Sequence, residues 1–380
     1  MDFNLSDEER AIEETARAFA AEHFLPHAAK WDAEHVFPRD KLKLAAELGF
    51  GGVTIGEDVG GSGLRRLDSI LVFEALARGC PSTAAFLSIH NMAGWMIDRF
   101  GGQEQRQRFL PAITRFDKAA AYCLTEPSAG SDAAALKTKA LRDGEHYVLN
   151  GAKAFISGGG AADCYVCMVR TGAEGPSGIS CIVVETGTPG LSFGANERKL
   201  GWHSQPTAMV LFDDCRVPVA NRIGAEGEGF KIAMAGLDGG RLNIGACSIG
   251  AAAYALDCAR DYMKLRTAFG RSLSEFQALQ FKFADMATEL EAARLFLRQA
   301  ASKLDETAPD ATMHCAMAKR FATDTAFNAV NEALQIHGGY GYLADYPFER
   351  LLRDLRVHQI LEGTNEIMRV IIARELFRDR

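Results

Sequence analysis

The hydrophobic pattern of this chain changes twice, and the order of the changes limits the folds it can adopt. Up to about residue 118 the apolar residues recur with helical spacing, interrupted by glycine-rich loops. From about 120 to 225, glycines and short β-type runs such as Cys164 to Val169 dominate. Beyond about 228 helical stripes return, for example Leu279, Phe283, Met286 and Leu290.

This order of helices, strands and long helices predicts an α+β fold rather than alternating βαβ units. Because 380 residues exceed one ordinary core, the length predicts two or three units, and the pattern along the chain favours three. They are an N-terminal all-helical domain over 1–119, a middle β domain over 120–228 and a C-terminal helical domain over 229–380. Within the middle domain, Asn150-Gly151 lies between two β-type runs and predicts a two-residue hairpin turn.

Composition and charge exclude several classes of protein. The 42 basic and 49 acidic residues give a net charge of −7 without a basic patch, so we expect no nucleic acid partner. Nine scattered cysteines indicate a reducing compartment rather than a disulfide framework. No apolar run reaches membrane-spanning length, so we expect no membrane insertion. The stretch Met1 to Glu9 resembles neither a signal nor a transit sequence. This favours a bacterial cytoplasmic location, or the mitochondrial matrix if a transit peptide has been removed.

The usual nucleotide and hydrolase motifs are missing. No Gly-x4-Gly-Lys-Ser/Thr loop occurs, and Gly224 to Gly229 lacks the dinucleotide-binding spacing. There is no Gly-x-Ser-x-Gly elbow. The nine histidines form no cluster with ligand spacing, so we predict no metal site.

Two segments of the middle region have the composition of a ligand-binding wall. Tyr122 to Asp132 combines an extended run with hydroxyl residues and a Gly-Ser turn, which lets backbone N–H groups approach a polar ring or phosphate. Lys153 to Gly160 ends a strand in an aromatic residue, a hydroxyl and three glycines, and the aromatic could stack on a planar cofactor. An ordinary linking loop and a flexible strand end are the alternatives.

Three segments of the C-terminal region contain glycines, and two of them also contain an arginine. In Leu237 to Ile244, two glycines interrupt a buried helix at a cost of roughly 1 kcal/mol each, which suggests close approach by a ligand. Its Arg241 faces a phosphate or ribose, or pairs with Asp238. Arg266 is suited to a pyrophosphate, and Gly338-Gly339 permits close backbone approach. Alternatively, these last two are helix-ending turns.

One carboxylate near the end of the chain has an unusual setting. Glu362 follows the apolar run Ile360-Leu361 and precedes a glycine, so partial desolvation should raise its pKa and strengthen it as a base. The alternative is a helix-terminal glutamate near the positive end of the last helix.

Taken together, these segments resemble the acyl-CoA dehydrogenase family of flavoenzymes, in the same order over essentially the whole chain. The resemblance implies a helical N-terminal domain, a β-barrel-like middle domain and a C-terminal four-helix bundle. It also implies FAD as cofactor, an acyl-CoA substrate, electron-transfer flavoprotein as partner, and a homotetramer. Acyl-CoA oxidases, flavin monooxygenases of this fold and non-catalytic acyl-CoA-binding or assembly relatives are the other classes considered.

The resemblance also assigns roles to residues, with Glu362 as the catalytic base. Implied FAD contacts are Tyr122, Leu124, Thr125, Gly130, Ser131, Phe155, Ile156, Ser157, Arg266, Phe269, Phe276, Gln277, Gln335, Ile336, His337, Gly338, Gly339, Thr364, Asn365 and Glu366. Among these, Arg266, Phe276, Gln277 and the residues from Gln335 to Gly339 would face the FAD of a neighbouring subunit. Implied acyl-CoA contacts are Ser131, Asp238, Gly239, Gly240, Arg241, Leu361 and Arg374.

Two positions narrow the expected chemistry within the family. One branch of the family takes its catalytic base from the position that Gly240 occupies here. Because glycine has no side chain, the resemblance implies that Glu362 is the base. Straight-chain relatives usually carry tyrosine where this chain has Leu361, and the smaller residue would make room for a methyl branch at Cα. A short branched acyl-CoA, most closely isobutyryl-CoA, is therefore the expected substrate, with 2-methylbutyryl-CoA or a general short-chain range as alternatives.

Overall fold

The computed structural model describes residues 4–378, so Met1 to Phe3 and the last two residues lie outside the described part. The N-terminal region is helical, as predicted. Ser6 and Glu9 form the reciprocal capping box that begins the first helix. The helices are α1 (Asp7–His23), α2 (Ala28–Glu34), α3 (Arg39–Glu47), α4 (Arg66–Ala77), α5 (Pro81–Phe100) and α6 (Gln103–Thr114).

Helix α5 is central to the N-terminal region. Pro81 occupies its first turn, where a missing N–H costs nothing. Nearly every residue from Pro81 to Ile97 is buried, which is the pattern of a helix enclosed on all sides. It contacts α4, the first strand and the long helix that begins the C-terminal region.

The middle region is a mixed eight-stranded sheet. Its strands are β1 (Ala120–Cys123), β2 (Lys139–Asp143), β3 (His146–Ser157), β4 (Cys164–Arg170), β5 (Ile179–Glu185), β6 (Leu191–Phe193), β7 (Thr207–Pro218) and β8 (Arg222–Ile223). The order is β6-β7-β3-β2-β4-β5-β8, and β1 pairs with β4 in parallel. Strands β4 and β5 are buried on both faces, which explains their unbroken apolar runs.

The predicted hairpin at Asn150-Gly151 is wrong. Strand β3 runs straight through these residues, and the turn that reverses the chain lies between Asp143 and His146. The register of β3 against β7 shifts between Leu149 and Gly151, and a Cβ on Gly151 would lie 2.7 Å from the Thr138 Cα. The glycine therefore serves an irregularity within the sheet rather than a turn.

The C-terminal region is built on long helices, in agreement with the predicted α+β order. They are α7 (Gly229–Leu265), α8 (Gln277–Asp305), α9 (Ala311–His337), α10 (Phe348–Arg356) and α11 (Asn365–Leu376), with a short hairpin of β9 (Thr267–Ala268) and β10 (Arg271–Ser272) after α7. Helices α7, α8 and α9 pack on one another, and α11 packs on α9. The domain limits at 119/120 and 228/229 stay predictions.

Helix α7 differs from the expectation that no segment has membrane-spanning length. Among the described residues, α7 is the one helix that is long enough and apolar enough to cross a membrane, judged by length and composition only. However, 78% of its apolar stretch is buried in the protein. Core helices of soluble proteins pass the same test, so this is weak evidence for a membrane span.

Candidate active site

Glu362 lies in a sharp turn just before α11. Its φ of +55° is left-handed, which is uncommon for a residue with a side chain, and Gly363 follows with φ +91°. Thr364 then caps α11 by accepting a hydrogen bond from the Ile367 N–H at 3.3 Å. The constrained backbone fixes the direction of the Glu362 side chain.

The Glu362 carboxylate is buried without a partner. The residue as a whole is half-buried, but both carboxylate oxygens are inaccessible and make no hydrogen bond within the described part of the chain. Burial raises the pKa of Glu362 to about 7, although the charges of Lys319 and Arg241 act in the opposite direction. The predicted desolvation of this carboxylate is thus confirmed.

Two buried cations hold the backbone around Glu362 rather than its carboxylate. Arg241 donates from Nε to the Glu362 carbonyl oxygen at 3.2 Å. Lys319 donates from Nζ to the Gly363 carbonyl at 2.9 Å and to Asn365 Oδ1 at 3.0 Å. Burial lowers the pKa of Lys319 to about 8, with the Glu362 charge opposing the shift. Both charges therefore act on the carboxylate electrostatically, although neither cation is hydrogen-bonded to it.

The two glycines inside α7 make room for side chains of this site. A Cβ on Gly240 would lie 2.8 Å from the Met92 sulfur and 2.9 Å from the Glu362 Cδ. A Cβ on Gly239 would lie 2.7 Å from the Arg66 guanidinium carbon. We expected close approach by a ligand here; in the structure the approaching groups are side chains of the protein itself.

Of the two interpretations of Arg241, pairing with Asp238 is confirmed. Arg241 Nη1 donates to Asp238 Oδ1 at 2.8 Å, and both side chains are almost fully buried. Thr312 donates to the other Asp238 oxygen at 2.6 Å. These bonds fix Arg241 in the position from which it reaches the Glu362 carbonyl.

The predicted flavin-wall segments of the sheet meet beside this site. The Ala154 N–H donates to the Thr125 carbonyl at 2.9 Å, joining Tyr122–Ser131 to Phe155–Ser157. The Tyr122 hydroxyl is buried with no partner among the described residues, and burial, followed by neighbouring charges that include Glu362, raises its pKa well above the ordinary value.

Phe155 presents an exposed ring from a strained backbone. The residue is 67% exposed and its φ is +58°, whereas Ile156 beside it is buried. A Cβ on Gly130 would meet nothing within 4 Å. An open backbone, an exposed aromatic face and the orphaned hydroxyl of Tyr122 fit a planar, polar cofactor such as a flavin.

The remaining predicted cofactor contacts gather elsewhere. Arg266, Phe269, Phe276 and Gln277 lie around the β9–β10 hairpin, where Phe269 is almost fully exposed. The Arg266 guanidinium lies 5.8 Å from the Tyr340 ring, which brings this hairpin next to the Gln335–Gly339 segment. Gln335, Gly338 and Gly339 are exposed, whereas Ile336 and His337 are buried. Gly338 ends α9 with φ +58°.

The last predicted contacts are divided between core and surface. Asn365 is buried, where its amide nitrogen donates to Asp324 at 2.7 Å and to Thr323 at 3.0 Å. Glu366 is exposed, and Arg374 lies near the end of α11 with Glu375 beside it at 3.7 Å. Arg374 is therefore about 14 Å along the helix axis from Asn365, by the helical rise per residue.

Three comparisons with known proteins agree with this arrangement. Models of the N-terminal, middle and C-terminal domains of acyl-CoA dehydrogenase match residues 6–117, 121–215 and 227–377. The chain belongs to the acyl-CoA dehydrogenase family. It is accordingly an FAD-dependent oxidoreductase.

Individual relatives are similar over nearly their whole length. The mitochondrial isobutyryl-CoA dehydrogenase of Bos taurus is 58% identical, over 99% of this chain and 90% of that protein. The structure of butyryl-CoA dehydrogenase from Megasphaera elsdenii has a TM-score of 0.96 at 39% identity, covering 100% of both chains. The FAD complex of PigA has a TM-score of 0.96 at 32% identity, covering 99% of both.

Several residues at the site were missed by the sequence reasoning. Lys319, Met92 and Thr312 carry no local motif, and each reaches the site only because α5 and α9 pack against α7. Within residues 4–378, no group of three histidine, cysteine or acidic side chains is placed to hold a metal ion.

Proposed function

We propose that this enzyme oxidises a short branched acyl-CoA at its α and β carbons, with isobutyryl-CoA converted to methacrylyl-CoA. The observation that carries the proposal is the Glu362 carboxylate, which is buried, without a hydrogen-bond partner and close to pH 7 in its pKa. A base with a pKa near the working pH is the most effective for proton abstraction.

In this mechanism Glu362 removes the α-proton of the thioester. Arg241 and Lys319 keep the turn in place through its carbonyl groups, so the carboxylate can point at the substrate. When bound, FAD supplies the acceptor for the hydride that leaves Cβ. In the described part of the chain the Glu362 N–H donates no hydrogen bond, which leaves it free to stabilise the thioester oxygen as negative charge develops there.

The branched substrate is supported by the neighbour of the base. Leu361 is only partly buried and packs beside Tyr122 on the same apolar cluster. A leucine there is smaller than the tyrosine of straight-chain relatives and leaves space at Cα. The 58% identity to an isobutyryl-CoA dehydrogenase supports the same substrate. Valine breakdown is the corresponding pathway.

We also propose an electron acceptor, an oligomeric state and a cellular location for the enzyme. Two electrons per turnover must leave the enzyme, and we propose electron-transfer flavoprotein as their acceptor. The exposed rings of Phe269, Tyr342 and Phe377 support assembly into a homotetramer, since exposed apolar surface favours association. Both the bacterial cytoplasm and the mitochondrial matrix are compatible with this chemistry.

Anaerobic flavin bleaching tests the proposed function. The purified holoenzyme is mixed with isobutyryl-CoA, 2-methylbutyryl-CoA and butyryl-CoA, and loss of the oxidised flavin absorbance is followed. Fastest bleaching by isobutyryl-CoA is expected. No bleaching by any of the three would indicate a non-catalytic relative, and rapid reoxidation in air would indicate an oxidase.

A further inference from the structure

An apolar cluster containing Trp202 lies beside the catalytic turn. Trp202, from the loop before β7, packs with Ala85 and Ile89 of α5 and Ile244 of α7; these four are called the Trp202 cluster. Tyr122, Val357 and Leu361 pack against it. The cluster thus joins the residue before the catalytic base to the β1 strand.

The Trp202 cluster is close to the place where Glu362 acts. Gly240, where an added Cβ would lie 2.9 Å from the Glu362 Cδ, precedes Ile244 by four residues of α7. Four residues correspond to about 6 Å of helix. An acyl chain directed away from the base along α7 would therefore reach the cluster after a few carbon atoms.

A chain of buried hydrogen bonds fixes the indole of Trp202. Its Nε1 donates to His358 Nε2 at 3.1 Å, and an indole N–H can only donate. His358 Nδ1 therefore carries the proton and donates to Ser248 Oγ at 2.7 Å, and Ser248 donates to the Ile244 carbonyl at 2.8 Å. Burial, followed by the charge of Lys319, lowers the pKa of His358 to about 3, so the ring stays neutral.

The backbone of Trp202 is held as firmly as its ring. Its φ of +57° is left-handed, and its N–H donates to the buried Asp354 carboxylate at 2.5 Å. A Cβ on the preceding Gly201 would lie 2.8 Å from the Asp354 backbone nitrogen, so the loop is seated against α10. Trp202 cannot swing away from the site without breaking several buried contacts.

We propose that Trp202 is a specificity-determining residue, whose indole closes the acyl side of the Glu362 site and thereby limits the length of the acyl chain. His358 and Ser248 act as positioning residues for the indole. This proposal rests on the proposed function, because it concerns the substrate of the same site. A rigid, fully bonded aromatic wall rejects a longer chain better than flexible aliphatic side chains would.

The test compares chain-length preference in three variants. Trp202→Leu shortens the wall, Trp202→Phe keeps a ring but removes the N–H, and Trp31→Leu is the control. Trp31 is equally buried but packs against Phe24 in the N-terminal helices. For each holoenzyme, kcat/KM is measured with hexanoyl-CoA and isobutyryl-CoA.

Trp202→Leu is expected to raise the ratio of hexanoyl-CoA to isobutyryl-CoA by about tenfold or more, the effect of one or two methylene groups of space. Trp202→Phe should raise it less, and Trp31→Leu should not change it. Unchanged ratios in both Trp202 variants would overturn the proposal. If Trp202→Leu fails to retain FAD, Trp202→Phe decides alone. If the flavin of the wild-type enzyme is not bleached by any acyl-CoA, that result would instead contradict the proposed function.

Discussion

The buried carboxylates of Glu362 and Glu126 have opposite environments in this molecule. Glu126, in the predicted flavin-wall segment of the sheet, accepts hydrogen bonds from Lys153 at 2.8 Å, from the Lys137 N–H at 2.6 Å and from the Thr138 N–H at 2.9 Å. Glu362 accepts none from the described residues, although two cations lie close by.

The pKa values follow these environments. Burial alone would raise the pKa of Glu126, but Lys153 and the donated hydrogen bonds lower it below the ordinary value. Burial raises the pKa of Glu362 to about 7 because no donor compensates it. Burial therefore does not by itself decide the direction of the pKa shift in these two glutamates; the hydrogen-bond donors and cations that compensate it do.

The largest expected difference between the two glutamates is in catalysis. Glu362→Gln removes the proposed base but keeps the shape of the side chain, so flavin bleaching by isobutyryl-CoA should slow by roughly 10³- to 10⁴-fold, near the upper range for a general base. FAD content and binding of the acyl-CoA should be retained. Bleaching at the wild-type rate would remove Glu362 from this role.

The next largest effect belongs to Glu126. Lys153→Met leaves a buried carboxylate without its cation and should lower the free energy of unfolding by about 3–5 kcal/mol. FAD retention should also fall, since Lys153 donates to the Leu124 carbonyl at 3.0 Å. Lys118→Met is the control, because its ion pair with Glu185 is at the surface and should contribute less than about 1 kcal/mol. Equal stability of the two variants in urea unfolding would contradict the comparison.

A smaller effect is expected for the stability of Glu362→Gln. Unlike Lys153→Met, this substitution should be stabilising relative to wild type as the pH rises. As pH rises from the ordinary glutamate value of 4.5 to about 7, the unfolded chain releases this proton before the folded protein does. Wild-type stability is therefore lost over that window, by roughly 3 kcal/mol in total. The glutamine variant lacks this term, so it should become relatively more stable as the pH increases from 5 to 8. A constant difference between the two urea midpoints over this range would argue against a raised pKa.

The smallest effect is expected on the preference for a branched substrate, through Leu361 beside Glu362. Leu361→Tyr narrows the space at Cα and should lower kcat/KM for isobutyryl-CoA more than for butyryl-CoA, by about tenfold in the ratio. It should leave the stability contribution of Glu126 and Lys153 unchanged. Equal losses on both substrates would show that Leu361 does not select the branch.

Much of the fold could be predicted because its signals are local. Ser6 and Glu9 have the three-residue spacing of a capping box, and this box begins α1. The change from helical to β-type runs and back gives the order of elements. The Asn150-Gly151 hairpin was wrong because a turn-type dipeptide also suits a sheet irregularity, and the choice depends on Thr138 across the sheet.

The candidate site was predictable in part for the same reason. The position of Glu362 after an apolar run indicated desolvation, and its neighbours in sequence supplied that signal. Lys319, His358 and Trp202 gave no such local signal. Their contacts arise only when α9, the segment between α10 and α11, and the loop before β7 come together. Long-range packing, rather than local pattern, decides which buried polar groups are satisfied.

Burial without a hydrogen-bond partner should place the pKa of the Glu362 carboxyl near 7. An infrared pH titration of the carboxyl C=O stretch in the holoenzyme, taken as the difference between wild type and Glu362→Gln, measures that pKa directly. We predict one protonated carboxyl band that disappears with a midpoint near pH 7. A midpoint near 4.5, the ordinary glutamate value, would show that burial does not raise the pKa of this carboxyl.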